Sequence, residues 1–144
     1  MNNSELAEQT FIEGYNCSQS VLSSMHNVTG ISIDDSMRLA SGFGGGMGRA
    51  QHVCGAVTGG ILVLNLLYGT GLETDKEQRE ELYGKIRQLI DTFEEQNQTI
   101  NCRELLDGCN LMSPEGQERF KSENMSLQCK KYVSSVVKIL EGII

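Results

Sequence analysis

The sequence predicts an all-α protein, and three observations carry that prediction. Proline occurs once in 144 residues and tryptophan is absent, so almost no position forbids a helix. Glutamate- and glutamine-rich segments alternate with apolar residues at helical spacing. Capping residues stand where those segments begin: Asn16 three positions before Gln19, Thr74 before Glu77, and Asn101 before Glu104. At 39% hydrophobic and 22% charged, the composition is that of a globular chain, and its length suits one compact domain, residues 1–144.

The elements follow in order. Ser4 to about Gly14 reads as a first helix, with Ser4 as N-cap, Leu6, Ala7 and Phe11 along one face, and Gly14 as the stop. Asn16-Cys17-Ser18-Gln19 is a capping box that opens a second helix with Cys17 at its first position. Val21, Leu22 and Met25 continue its apolar face until Asn27 and Gly30. Ser32–Leu39 starts a short third helix with Asp34 and Asp35 in its first turn.

The stretch Gly42–Gly69, GFGGGMGRAQHVCGAVTGGILVLNLLYG, is the centre of the chain. Gly42–Gly48 is too rich in glycine for a stable helix. Val53–Tyr68 is nearly all apolar and reads as a buried central helix, closed by Gly69-Thr70-Gly71. Gly55, Ala56, Gly59 and Gly60 give it a small-residue surface that permits close helix–helix approach.

Thr74-Asp75-Lys76-Glu77 opens an amphipathic helix with Leu82, Tyr83, Ile86, Leu89, Ile90 and Phe93 facing the core. Asn101-Cys102-Arg103-Glu104 repeats the Asn-Cys capping box and starts a short helix ending near Gly108. Residues 109–124 read as irregular or a short helical turn. A last helix runs from about Ser126, with Cys129, Tyr132, Val133, Val136, Val137 and Leu140 on one stripe.

Several function classes are excluded or disfavoured. A net charge of −7 and no basic cluster argue against nucleic acid. The strongly apolar run Ile61–Tyr68 falls well short of the ~20 residues of a membrane span, and no basic flank orients one. The N-terminus MNNSELAEQT lacks a basic start and an apolar run, which points to a cytoplasmic location. There thiols stay reduced, and five cysteines do not read as a disulfide framework.

Four of the five cysteines mark the candidate site. Cys17 and Cys102 stand at helix starts, Cys129 in a first turn, and Cys54 near the start of the central helix. N–H groups and the positive dipole end at such positions stabilise a thiolate. Core filling gives cysteine no preference for first turns. Cys109, in the irregular segment, has no such context. C-x-x-C is absent, so neither a thioredoxin-type motif nor a haem attachment motif occurs, and the close pairs of a structural zinc site are missing. Four dispersed cysteines can still converge on an iron–sulfur cluster.

The glycine run lacks the Gly-Lys-Ser/Thr of a phosphate loop and the preceding strand of a dinucleotide fingerprint. Its expected role is close backbone approach, or N–H groups turned toward a bound group, with Gly46, Gly48 and Gly55 as candidate binding positions. His52, two residues before Cys54, is a candidate base, ligand or plain hydrogen-bonding residue. His26, near a helix end, reads as structural. Arg49, five residues before Cys54, suits a thiolate or an anionic ligand.

The segment Cys54-Gly55-Ala56-Val57-Thr58-Gly59, the run Gly44-Gly45-Gly46-Met47-Gly48, the early Gly14-Tyr15-Asn16-Cys17 and two later cysteines resemble the redox-active C_GCAxxG_C_C family, which carries a CGAxxG motif. The resemblance covers nearly the whole chain. It implies a redox role for Cys17, Cys54, Cys102 and Cys129, with Cys109 additional to the family four. A related domain in split-Soret cytochromes accompanies haem and iron–sulfur centres, but no covalent haem is expected here because the attachment motif is missing.

Three functions follow as expectations. Thiol/disulfide or electron-transfer chemistry at the four cysteines is preferred, with Cys54 or Cys17 as the activated thiolate and a small thiol/disulfide substrate or redox partner. The same four residues as metal ligands of an iron–sulfur cluster form the alternative. The third is a non-catalytic module, with the glycine-faced helix mediating homodimer or partner contacts.

Overall fold

The computed structural model describes residues 1–73 and 75–144. Its helices are α1 (Asn3–Ile12), α2 (Cys17–Ser24), α3 (His26–Thr29), α4 (Ile33–Ala40), α5 (Gly55–Tyr68), α6 (Lys76–Asn97), α7 (Cys102–Leu105), α8 (Pro114–Ser122) and α9 (Ser126–Ile143). A 3-10 turn, Ser41–Phe43, follows α4. The described residues form no strand beyond an isolated antiparallel bridge between Val53 and Asn101. The fold class is all-α, as predicted.

The buried helix is α5. Gly55 through Gly60, Val63 and Leu64 are all buried, so its first half has no polar stripe to turn toward water. α2, α6 and α9 pack against it, α1 lies on α9 and α2, and α4 covers α2. Close approach is set by two glycines. A Cβ at Gly59 would stand 2.8 Å from the Ser18 carbonyl oxygen and 3.0 Å from Val21 Cβ, so α2 rests directly on α5 backbone. At Gly60 it would meet Leu89 Cδ2 and Val136 Cγ1 at 2.8 Å, which brings α6 and α9 in. Leu22, Leu64, Leu89, Phe93, Val136 and Leu140 are shut off from solvent, each contributing about 1.5–3 kcal/mol through burial. Among the described residues no helix is long and apolar enough to cross a membrane.

A smaller apolar cluster sits at one end. Cys102, Leu106, Cys109 and Met125 form it, with Leu111, Phe120 and Cys129 packed alongside. It ties α7, α8 and the start of α9 together.

Helix starts follow the capping chemistry, with differences. Asn16 Oδ1 accepts from Gln19 N–H at 2.9 Å while Gln19 Oε1 accepts from Asn16 N–H at 3.1 Å, the full reciprocal box. Asn101 caps Glu104 N–H at 3.0 Å, but the return runs through Thr99, whose hydroxyl accepts from Asn101 N–H and donates to Glu104. α1 begins earlier than expected: Asn2 is the cap, paired with Glu5, and Ser4 is buried inside the helix. Asp75 caps α6 through Glu77 N–H; the expected cap Thr74 lies outside the described residues. Tyr83, expected on the core stripe, is 47% exposed, because α6 turns that side to water.

The segment read as irregular contains α8. Ser113 caps it through Gly116 N–H, with Pro114 in the first turn and Glu115 behind it. Serine, proline, then an acid is a readable start signal, and the glycine at position 116 obscures it.

Candidate functional site

The glycine run forms a left-handed coil. Gly45, Gly46, Met47, Gly48 and Arg49 have φ between 59° and 72°, and Gln51 has 59°. Each non-glycine residue there costs roughly 1–2 kcal/mol, so other interactions must offset the strain. Hydrogen bonds hold it: Gly48 N–H to Gly42 O at 2.9 Å, Gln51 N–H to Gly45 O at 3.0 Å, and His52 N–H to Gly46 O at 2.9 Å. The buried Gln51 side chain adds a second anchor. Its amide donates to Cys109 O at 2.7 Å and accepts from Leu111 N–H at 2.9 Å.

The coil delivers Cys54 beside Cys102. Cys54 N–H donates to Ile100 O at 2.7 Å and Cys102 N–H to His52 O at 2.6 Å, the two bonds of the bridge pairing Val53 with Asn101. Gly46 closes over that bridge: a Cβ on it would lie 2.7 Å from Cys102 Cβ and 2.6 Å from Gln51 Cα. On the other side, a Cβ on Gly55 would lie 3.1 Å from Cys17 Cβ. Glycine at 46 and 55 is therefore what lets two sulfur-bearing backbones reach the same place. Cys129, in the first turn of α9, lies close enough to Cys17 for each thiol to shift the other's titration.

All four of these cysteines line one cavity of about 430 Å³. Phe11, Leu106, Phe120 and Tyr132 form apolar walls, and Arg49, Gln117 and Lys121 also line it. Tyr132 is fixed by its hydroxyl, which donates to Leu105 O at 3.1 Å, and by edge-to-face contact with Phe93 at 5.8 Å.

The sulfurs are electrostatically unequal. The neighbouring Cys129 thiol, and then burial, push Cys17 well above the ordinary thiol value. Cys17, acting as the donor of the pair, holds Cys129 below that value despite burial. Burial pushes Cys54 up to about 12; the N–H groups of Ala56 and Val57 oppose it and lose. Burial and then the Cys129 charge push Cys102 up to about 11, partly offset by Gln51. The expectation of an activated Cys54 or Cys17 is thus corrected. Helix-start N–H groups do reach Cys54, but desolvation exceeds them, and the lowered thiol is Cys129.

The other candidates divide. Gly46, Gly55 and Arg49 line the cavity. Gly48 does not; it borders a separate hollow with Ser41, Gly42 and Gly44. His52 is exposed and meets its neighbours through backbone, and His26 is half-buried in α3. Cys109 is buried, donates to Gly116 O at 3.1 Å, and packs behind Cys102 without reaching the cavity. Gln51, Phe120 and Lys121 do not stand out in the sequence. The last two belong to α8, and only recognition of that helix would bring them forward.

Fold and site together define a helical four-thiol domain with one strained glycine coil. Residues 15–143 match the family described as "Putative redox-active protein (C_GCAxxG_C_C)", and the chain belongs to that family. It is 28% identical over 135 residues to an uncharacterized protein of Archaeoglobus fulgidus, covering 88% of this chain and 83% of the relative. No solved structure matches.

Proposed function

We propose that this redox-family protein, acting as one unit over residues 1–144 in the cytoplasm, performs thiol–disulfide chemistry at the pair Cys17 and Cys129. The observation that carries the reading is that Cys17 and Cys129 are two half-buried thiols lining one cavity, close enough to shift each other's titration, with Cys129 moved toward thiolate. Cys129 Sγ attacks one sulfur of a disulfide, forming a mixed disulfide and releasing one thiolate, which takes up a proton. Cys17 then loses its proton and attacks Cys129 Sγ. The second thiol leaves, and Cys17 and Cys129 are joined. Two protein thiols are oxidised and one substrate disulfide is reduced; an external dithiol returns the pair to its starting state. Cys54 and Cys102, pushed up to about 12 and 11, stay protonated near neutral pH and stand behind the reacting pair.

The test is alkylation of fully reduced protein at graded pH, read by peptide mass. Cys129 should label first, with a midpoint below the ordinary thiol value, and Cys17→Ala should raise that midpoint by removing the donor. One equivalent of disulfide should then crosslink Cys17 to Cys129. Labelling of Cys129 with an unshifted midpoint would remove the basis of the reading.

Four thiols around one cavity are also the donor set of an iron–sulfur cluster, and that convergence favours the cluster as the second reading. Against it, no three histidine, cysteine or acidic groups among the described residues are disposed to hold a metal ion. Iron at cluster stoichiometry with visible absorbance in anaerobically purified protein would replace the thiol reading with this one.

A further inference from the structure

We infer that the cavity selects small anionic disulfides, with Arg49 and Lys121 as the residues that read the charge; this rests on the thiol–disulfide reading above. The chain carries 19 acidic residues against 12 lysines and arginines. Yet none of the residues lining the cavity is acidic, and two of them are cations. The ion pairs among the described residues join Arg38 to Asp34 and Arg119 to Asp107 and Glu123, so neither Arg49 nor Lys121 is neutralised by the protein. The cavity also receives the positive ends of two helices, since Cys17 is the first residue of α2 and Cys54 the cap of α5. A concave site whose charged side chains other than Cys129 are cationic, walled by Phe11, Phe120 and Leu106, concentrates anionic ligands.

Size and depth specify the rest. About 430 Å³ lies in the range of small-ligand sites. Cys54 and Cys102 are only 5% and 8% exposed, so the inner part of the cavity admits a small molecule rather than a folded chain. The chemistry needs the cations as well. An anionic disulfide is repelled by the Cys129 thiolate that attacks it, and Arg49 and Lys121 offset that repulsion at both stages of exchange. The thiol products carry the same negative charges, and the stoichiometry is the one given above, with two protein thiols oxidised per disulfide reduced.

The experiment uses three disulfides with two-carbon arms that differ in charge: dithiodipropionate (dianion), bis(2-hydroxyethyl) disulfide (neutral) and cystamine (dication). Each is mixed with full-length reduced protein under argon, and the Cys17–Cys129 crosslink is timed by quenching and mass. Rates are divided by those of a small reference thiol to remove intrinsic reactivity. The normalised order should be dianion, neutral, dication, with about tenfold between the first two at low salt and a smaller ratio as ionic strength rises. Arg49→Gln and Lys121→Gln should each lower the ratio of the dianion rate to the neutral rate; both side chains are exposed, and far-UV dichroism checks their fold. Equal normalised rates, or a preference that survives the double substitution, would overturn charge selection while thiol exchange stands. No crosslink with any of the three would overturn the exchange reading and this inference with it.

Discussion

Cys54 provides a quantitative test of how burial competes with helix-start N–H groups. Its thiol is raised from 9.0 to about 12, so the folded state holds a proton that the unfolded chain releases. The linkage sign is then fixed: the stability this proton contributes is fully present below pH 9 and is lost as pH rises from there toward 12. Near pH 10 the loss is about 1.4 kcal/mol, and near pH 10.5 about 2 kcal/mol, at ~1.36 kcal/mol for each step of one in pH. The perturbation is Cys54→Ala, which removes the titrating thiol. Urea unfolding of both proteins at pH 8, 9, 10 and 10.5, with a phosphine reductant, gives the stability difference at each pH. That difference should shrink in favour of the alanine variant by about 2 kcal/mol across the series. A difference that stays constant with pH would mean that the helix-start N–H groups cancel the burial penalty at Cys54, and the assignment of the low thiol to Cys129 would lose its main contrast.

Two further substitutions test the coil. Gly46→Ala, at φ 71° with backbone atoms of Gln51 and His52 at 2.6 and 2.8 Å from the added carbon, should destabilise by about 2–4 kcal/mol, whereas Gly48→Ala, at φ 59° in open space, should cost about 1–2 kcal/mol in denaturant unfolding. Gln51→Leu should cost about 2–4 kcal/mol by stranding Cys109 O and Leu111 N–H, and it should also raise the alkylation midpoint of Cys102, which Gln51 holds down.

What the sequence made legible was local. Asn16, Ser32 and Asn101 cap helices because one side chain and one N–H a few residues apart decide the matter, and the α5 glycines announce close packing by their size alone. What it left illegible depends on contacts across the chain. The bridge between Val53 and Asn101 joins segments that no spacing rule connects, and it is what sets Cys54 beside Cys102. Which thiol is lowered was also hidden. A helix start favours a thiolate in any sequence reading, but the outcome turns on desolvation and on which sulfur has a donor in reach, and Cys129 has Cys17. Gln51 looks like one more polar residue between Arg49 and His52 until its two backbone partners, 58 and 60 residues away, come into view.

The four sulfurs also constrain one another. The Cys129 charge raises Cys17, Cys54 and Cys102, so the cavity tolerates one thiolate and resists a second. In the thiol reading, oxidation of Cys17 and Cys129 removes that charge. The remaining obstacle at Cys54 is then burial with a small Cys102 contribution, while Cys102 loses the second of the causes that raise it and keeps the Gln51 hydrogen bond that lowers it. Cys102 is therefore the thiol most eased by the first oxidation, and it stands beside Cys54 on the bridge.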